Sequence, residues 1–93
     1  MRSKNVVERK DYFEPSMKIL LRMSKIMLES GSIGKLALSQ KGKINYPRLN
    51  MHLDWLTRKH LIEAVLEGGK MKLRLTQKGR TFAATLCETD LKI

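Results

Sequence analysis

The first apolar residues of the chain recur with a helical period. Their spacings of i, i+1, i+4, i+7 and i+8 place five of them on one helical face. These residues are Ile19, Leu20, Met23, Ile26 and Met27. Pro15 suits the first turn of a helix, where a backbone N–H is not needed for an intrahelical bond. We therefore predict an amphipathic helix over residues 14–29.

A shorter apolar group follows a break at residues 30–32. Ile33, Leu36 and Ala37 are spaced for a second, short helix. We expect this helix to end near Gly42, because glycine can adopt the left-handed conformation that commonly terminates a helix.

A third helix is predicted after a brief extended stretch at Ile44. Asn45 is suited to cap it, since its side chain can accept a hydrogen bond from a free backbone amide, and Pro47 suits its first turn. We expect this helix to run to about Lys59. Its buried stripe is predicted to be Leu49, Leu53 and Leu56, with His52 beside it.

The period of the pattern then changes from 3.6 to 2. Residues 62–67 and 70–75 alternate between apolar and other side chains, with Gly68 and Gly69 between the two runs. Two glycines in this position indicate a β-hairpin, because the preferred two-residue turns require positive φ. The register that this turn sets pairs Glu67 with Lys70, Val65 with Lys72 and Glu63 with Arg74.

The two faces of the predicted hairpin differ in chemistry. Lys70, Lys72 and Arg74 share one face, and acidic cross-strand partners account best for Arg74. Lys70 and Lys72 are therefore the better candidates for binding phosphate. The opposite face, which we expect to join the core, carries Met71, Leu73 and Leu75.

A closing helix is predicted from Gln77 to about Glu88, with Thr76 as its cap. Its apolar face carries Phe82, Ala83, Leu86 and Cys87. Three helices, a two-stranded hairpin and a C-terminal helix form the element order of a winged helix-turn-helix domain of the α+β class.

Charge and size narrow the range of partners. The 93 residues form one small domain, and 19 Lys and Arg against nine Asp and Glu give a formal charge of +10. Residues 1–10 contribute +3 and residues 35–80 contribute +8. Such a surplus favours nucleic acid first and an anionic membrane surface second. We divide the chain into a basic N-terminal arm, residues 1–12, and a winged-helix domain, residues 13–93.

Other classes of protein have little support in the sequence. Cys87 is the single cysteine, and no apolar stretch is long enough for a signal peptide or a membrane-spanning helix, so we expect a cytoplasmic protein. His52, His60 and Cys87 lack metal-ligand spacing, and no catalytic combination of residues is evident. We therefore expect no enzymatic activity, metal, cofactor, small-molecule ligand or membrane partner.

Two motifs resemble those of a known family. The run INYPRLNMHLDWLTRKHLI, residues 44–62, is similar to the recognition helix and first wing strand of MarR-like regulators and of small archaeal winged-helix proteins. LTQKGR, residues 75–80, resembles the entry to their closing helix. The resemblance spans about residues 16–88 and implies DNA binding. It departs at His60, where most relatives have glycine, so the third helix must end either with His60 in the left-handed region, which histidine tolerates, or by a different exit.

The resemblance also implies which residues contact DNA, since a helix-turn-helix inserts the N-terminal end of its recognition helix into the major groove. Arg48 can bind guanine, and Asn50 can bind adenine, through two hydrogen bonds each. The alternative is a solvated face with Tyr46 covering the core. The residues predicted to bind DNA are Lys35, Lys43, Asn45, Tyr46, Arg48, Asn50, Met51, Lys70 and Lys72; Lys41 is a further candidate for the backbone.

The leading hypothesis is a double-stranded DNA-binding transcriptional regulator acting as a homodimer. A non-specific architectural DNA- or RNA-binding protein and a protein-interaction winged helix are the alternatives. The predicted dimer interface comprises Phe82, Leu86, Cys87 and Leu91. The same stripe could instead pack against the first helix of its own monomer. Trp55 is expected to pack, partly buried, against the hairpin or a partner subunit.

Overall fold

The computed structural model describes the backbone of residues 13–92 and the side chains of residues 13–89. In chain order the elements are α1 (Met17–Ser30), β1 (Ser32–Ile33), α2 (Lys35–Gly42), α3 (Tyr46–Arg58), β2 (Ile62–Glu67), β3 (Lys70–Leu75) and α4 (Gln77–Lys92). A helix-turn-helix is followed by a hairpin and a closing helix, which confirms the predicted α+β winged-helix fold. The arm, residues 1–12, lies outside the described residues.

Helix α1 begins later than its sequence pattern suggests. Ser16 is extended and caps the helix, because its Oγ accepts a hydrogen bond from the backbone N–H of Ile19 at 3.3 Å. Pro15 therefore precedes the cap, and its assignment to the first turn was wrong. The predicted apolar face is otherwise confirmed, since Ile19, Leu20, Met23 and Met27 are buried.

A short strand, β1, was not predicted. Ile33, assigned from the sequence to the second helix, pairs instead with Leu73 of β3, and Ser32 pairs with Arg74. The three strands lie in the order β1-β3-β2, so the sheet is larger than the expected two-stranded hairpin. A two-residue strand is too short to produce a period, and its partner lies forty residues away.

The end of α2 also differs from the expectation. Gly42 is the last helical residue, and the left-handed position is Lys43, with φ 54° and ψ 48°. Gly42 is buried, and a Cβ at this position would lie 2.9 Å from Cδ1 of Ile44. Glycine therefore packs closely at residue 42, where a larger residue would displace the end of the Ile44 side chain, and the turn itself is made by a lysine.

The hairpin has the predicted register, with Glu67 opposite Lys70, Val65 opposite Lys72 and Glu63 opposite Arg74. Gly68 and Gly69 adopt φ values of 56° and 77°, as the two-residue turn requires. His60, with φ 62°, occupies the left-handed region, which is the first of the two possible ends of this helix.

Burial on the apolar face of the hairpin decreases towards its tip. Leu75 at the base is buried and Leu73 is half-buried, but Met71 is 63% exposed and its cross-strand partner Leu66 is 69% exposed. The assignment of Met71 to the core was wrong, because the packed helices cover only the base of the hairpin. The distal half forms a wing that extends beyond the core.

The closing helix completes the core. Thr76 caps it as predicted, with its Oγ1 accepting the N–H of Gly79 at 2.9 Å, and α4 continues to Lys92 rather than ending near Glu88. Helix α4 packs against α1, with Ala83 fully buried and Phe82 and Leu86 partly buried against the core.

Candidate nucleic-acid interface

The turn between α2 and α3 is held by two side-chain hydrogen bonds. Oγ of Ser39 donates to the carbonyl of Ile44 at 2.6 Å, and Nη1 of Arg22 donates to the carbonyl of Gly42 at 2.9 Å. Arg22 lies on α1, so it ties this helix to the end of α2. The Ser39 bond ties the turn that leads into α3 back to α2. Sequence reasoning did not identify Arg22, since no local pattern shows a bond across twenty residues.

Helix α3 is fixed to the core by one face, which leaves the other exposed. Leu49, Leu53 and Leu56 are buried, confirming the predicted stripe. Asn45 caps the helix, with its Oδ1 accepting the N–H of Arg48 at 3.0 Å. The amide oxygen of Asn45 is thus already used inside the protein, while its NH₂ group remains a possible donor to a ligand.

The exposed face of α3 carries the residues predicted to read bases. Arg48 and Asn50 are exposed, and Met51 is 51% exposed. The guanidinium of Arg48 has no ion pair among residues 13–89, whereas Arg58, further along the helix, pairs with Asp54 at 3.3 Å. The unpaired arginine therefore lies near the N-terminal end of α3.

A cation–π contact joins the starts of α2 and α3. Nζ of Lys35 lies 5.7 Å from the centroid of the Tyr46 ring. Tyr46 is 41% exposed. Gly34 caps α2 without a side-chain hydrogen bond, and the first turn of that helix contains no acidic residue. Free amides at a helix N-terminus, beside a lysine, are suited to binding phosphate.

The basic residues of the wing differ in their surroundings. Arg74 pairs with Glu63 at 2.8 Å, as the register implied. Glu67 does not pair with Lys70, its cross-strand neighbour; it accepts a hydrogen bond from Ser32 at 2.8 Å and lies 4.0 Å from Nζ of Lys72. Lys70 therefore has no ion pair within the described part of the chain and carries the free positive charge nearest the tip.

Trp55 is half-buried, as expected, but its aromatic neighbour is on the closing helix. Its ring lies 6.3 Å from that of Phe82, and Nζ of Lys59 lies 5.7 Å from its centroid. The predicted dimer stripe thus has contacts within one monomer, since Phe82 and Leu86 both pack on the core. Cys87 is half-buried, and the side chain of Leu91 lies outside the described residues.

The described residues contain no group of three or more His, Cys, Asp or Glu that could hold a metal ion. No helix among them is long and apolar enough to cross a membrane.

Comparison with solved structures shows the same fold in other proteins. A MarR family transcriptional regulator from Silicibacter pomeroyi DSS superposes with a TM-score of 0.73 at 19% identity, covering 81% of this chain and 51% of that one. A MarR family protein from Bacillus stearothermophilus gives a TM-score of 0.68 at 20% identity, covering 97% and 66%. SSV1 F-93 gives 0.63 at 22% identity, covering 87% and 91%.

The matched structures differ from this chain in length. The chain spans about half the length of the two Silicibacter regulators that it matches, 54% and 51%. No family model matches the sequence, and neither does a curated protein. Structural similarity at these identities establishes the winged-helix fold and confirms the resemblance that the two motifs indicated.

Proposed function

We propose that this protein is a sequence-selective, double-stranded DNA-binding transcriptional regulator that inserts the N-terminal half of α3 into the major groove. The observation that carries the proposal is the exposed face of α3. Its opposite face is anchored in the core, and the side chains of Arg48 and Asn50 are exposed. A rigid helix with exposed arginine and asparagine at its entering end suits base recognition.

Arg48 and Asn50 supply the selectivity in this proposal. Arginine binds the O6 and N7 atoms of guanine, and asparagine binds N6 and N7 of adenine, each pair discriminating by about 1–3 kcal/mol. Arg48 has no ion pair among the described residues, so a base can bind its guanidinium without breaking one. Met51 offers an apolar contact to a thymine methyl group on the same face.

Lysines around α3 supply contacts to the DNA backbone. Lys35 and the free amides of α2 approach a phosphate from one side, and Lys43 follows at the turn into α3. On the wing, Lys70 is the stronger candidate, because Lys72 lies near Glu67. Such contacts position the protein and carry no sequence information.

We further propose that two copies bind together through α4. One winged helix makes few base contacts, and two copies on half-sites about 34–36 Å apart double them. Phe82, Leu86, Cys87 and Leu91 are the proposed interface. Phe82 and Leu86 are only partly buried within the monomer, which leaves apolar surface for a second copy.

A binding titration tests the function directly. Random duplex DNA, single-stranded DNA and double-stranded RNA of equal length are titrated at two salt concentrations, and duplexes are then selected from a random pool. We expect tightest binding to duplex DNA, a steep salt dependence and enrichment of a defined sequence. Equal affinity for RNA, or no enrichment, supports the architectural alternative. No binding at low salt supports the protein-interaction alternative.

A further inference from the structure

Ser16, the cap of α1, is also bound to the proposed recognition helix. Its Oγ and its carbonyl accept hydrogen bonds from the backbone N–H groups of Ile19 at 3.3 Å and Leu20 at 2.9 Å. Its own backbone N–H donates to Nε2 of His52 on α3 at 2.9 Å. Ile19 and Leu20 are buried in the core. His52 is therefore bonded to a residue that is itself held in place at the start of α1.

His52 connects Ser16 to Arg48. Because Nε2 accepts from Ser16, Nδ1 carries the proton of the neutral imidazole and donates to the carbonyl of Arg48 at 2.8 Å. His52 is only 2% exposed, and the ring of Phe13 packs against the imidazole edge to face, with centroids 5.2 Å apart. The imidazole is therefore fixed in one orientation, with both ring nitrogens in use.

Side chains bind the backbone of Arg48 on both of its sides. Its N–H donates to Oδ1 of Asn45 at 3.0 Å, and its carbonyl accepts from His52. The guanidinium, in contrast, is exposed and has no ion pair in the part of the chain whose side chains are described. The backbone of residue 48 therefore determines from where the guanidinium approaches a base. This position matters because a two-bonded arginine contact has a fixed geometry.

We propose that His52 is a positioning residue for Arg48, which ties the first turns of α3 to the start of α1 and so aligns the arginine with its base. The inference rests on the proposed function and deepens it, because it places part of the sequence selectivity in a residue that does not touch DNA. Since His52 is buried, its effect on binding acts through Arg48. Its loss should lower discrimination between sequences and leave the phosphate contacts of the wing unchanged.

Three substitutions of the full chain separate the two hydrogen bonds of His52. In His52→Gln, Oε1 takes the place of Nε2 and accepts from Ser16, whereas in His52→Asn the amide NH₂ takes the place of Nδ1 and reaches only the carbonyl of Arg48. His52→Phe keeps a ring and removes both bonds. Competition titrations compare a duplex selected by the wild-type protein with random duplex. His52→Gln should retain most of the discrimination, while the other two should each lose about tenfold, which one base contact can supply.

A double-mutant cycle tests whether His52 acts through Arg48. The effect of His52→Asn on discrimination is measured in the wild-type protein and in the Arg48→Ala variant. We expect no further loss once Arg48 is replaced. An equal loss in both backgrounds would overturn the inference, because His52 would then act independently of the arginine.

Ile62→Val is the control for a general loss of stability. It shortens a buried side chain at the start of β2 and shares none of the contacts of His52 described above. Its melting temperature should fall while its discrimination stays that of the wild type. Thermal melts rank all the variants, and binding is measured where each is folded. A loss of discrimination by Ile62→Val equal to that of His52→Asn would overturn the inference.

The comparison of His52→Gln with His52→Asn remains decisive if His52→Phe does not fold. Equal discrimination by these two variants would overturn the inference and leave the role of α3 intact. A wild-type protein that selects no sequence from the random pool would instead overturn the proposed function, and this inference with it.

Discussion

Gly79 packs directly against the carbonyl group of Leu61. A Cβ at Gly79 would overlap the carbonyl oxygen of Leu61, to which the backbone N–H of Thr76 also donates at 3.0 Å. Oγ1 of Thr76 donates to the carbonyl of His60 at 2.8 Å. The start of α4 is therefore joined, backbone to backbone, to the turn that connects α3 with the wing.

Replacing Gly79 with alanine should destabilise the fold by about 3 kcal/mol, the upper part of the usual range for overpacking, because the opposing atoms are backbone and cannot rotate away. Urea denaturation measures the change in the free energy of unfolding. Gly34→Ala is the comparison, since φ at Gly34 is −74° and no atom lies within 4 Å of a Cβ there, so that only the preference of a helix N-cap for glycine over alanine is lost. A loss of less than about 1 kcal/mol for Gly79→Ala would show that α4 can shift.

Lys43 adopts a left-handed backbone that glycine would adopt with less strain. Lys43→Gly should therefore stabilise the protein by about 0.5–1 kcal/mol. Relief of the backbone strain favours the folded state, and the higher entropy of glycine in the unfolded chain offsets only part of this gain. It should also weaken DNA binding, because a proposed phosphate contact is lost. Denaturation and duplex titration measure the two effects.

His60→Gly provides the comparison for Lys43→Gly, because His60 is also left-handed but is outside the proposed DNA-binding set. Its stability should rise by a similar amount, while its affinity for duplex DNA stays the same. Full DNA affinity in the Lys43→Gly variant would remove Lys43 from the interface.

Arg48→Ala and Lys70→Ala should affect DNA binding differently. Loss of Arg48 should reduce discrimination between a selected site and random duplex by about 1–3 kcal/mol. Loss of Lys70 should weaken binding to both and make the salt slope shallower by about 0.9. Competition titrations with the two duplexes measure both quantities. If the variants lower every affinity alike, α3 does not read sequence, and the architectural alternative is favoured.

Sedimentation at micromolar concentration should give twice the monomer mass of 10.7 kDa. Cys87→Arg, at the edge of the proposed interface, should shift the protein to a monomer with little change in its circular dichroism, because Cys87 is not part of the buried core. Ala84→Arg, on the exposed side of α4, should remain a dimer. A wild-type monomer, or a dimer unaffected by Cys87→Arg, would contradict the proposed interface.

Features that depend on neighbouring residues could be predicted from the sequence. The pair Gly68 and Gly69 set a two-residue turn, and the turn set every cross-strand pair of the hairpin. Asn45 and Thr76 cap their helices because each side chain bonds to an amide three residues away. The apolar faces of the helices likewise follow from local spacing.

Features that depend on distant residues were decided only by the tertiary structure. β1 exists because Ile33 meets Leu73, and Met71 is exposed because no helix covers the wing tip. Likewise, no spacing in the sequence shows that Phe13 meets His52. Thus the sequence alone determined the identity and order of most elements and which side chains of α3 are exposed. These features follow from short-range hydrogen bonds and from the periodic spacing of buried residues. The packing of the assembled elements decided which predicted side chains are free, paired or covered, because those contacts form between residues far apart in the chain.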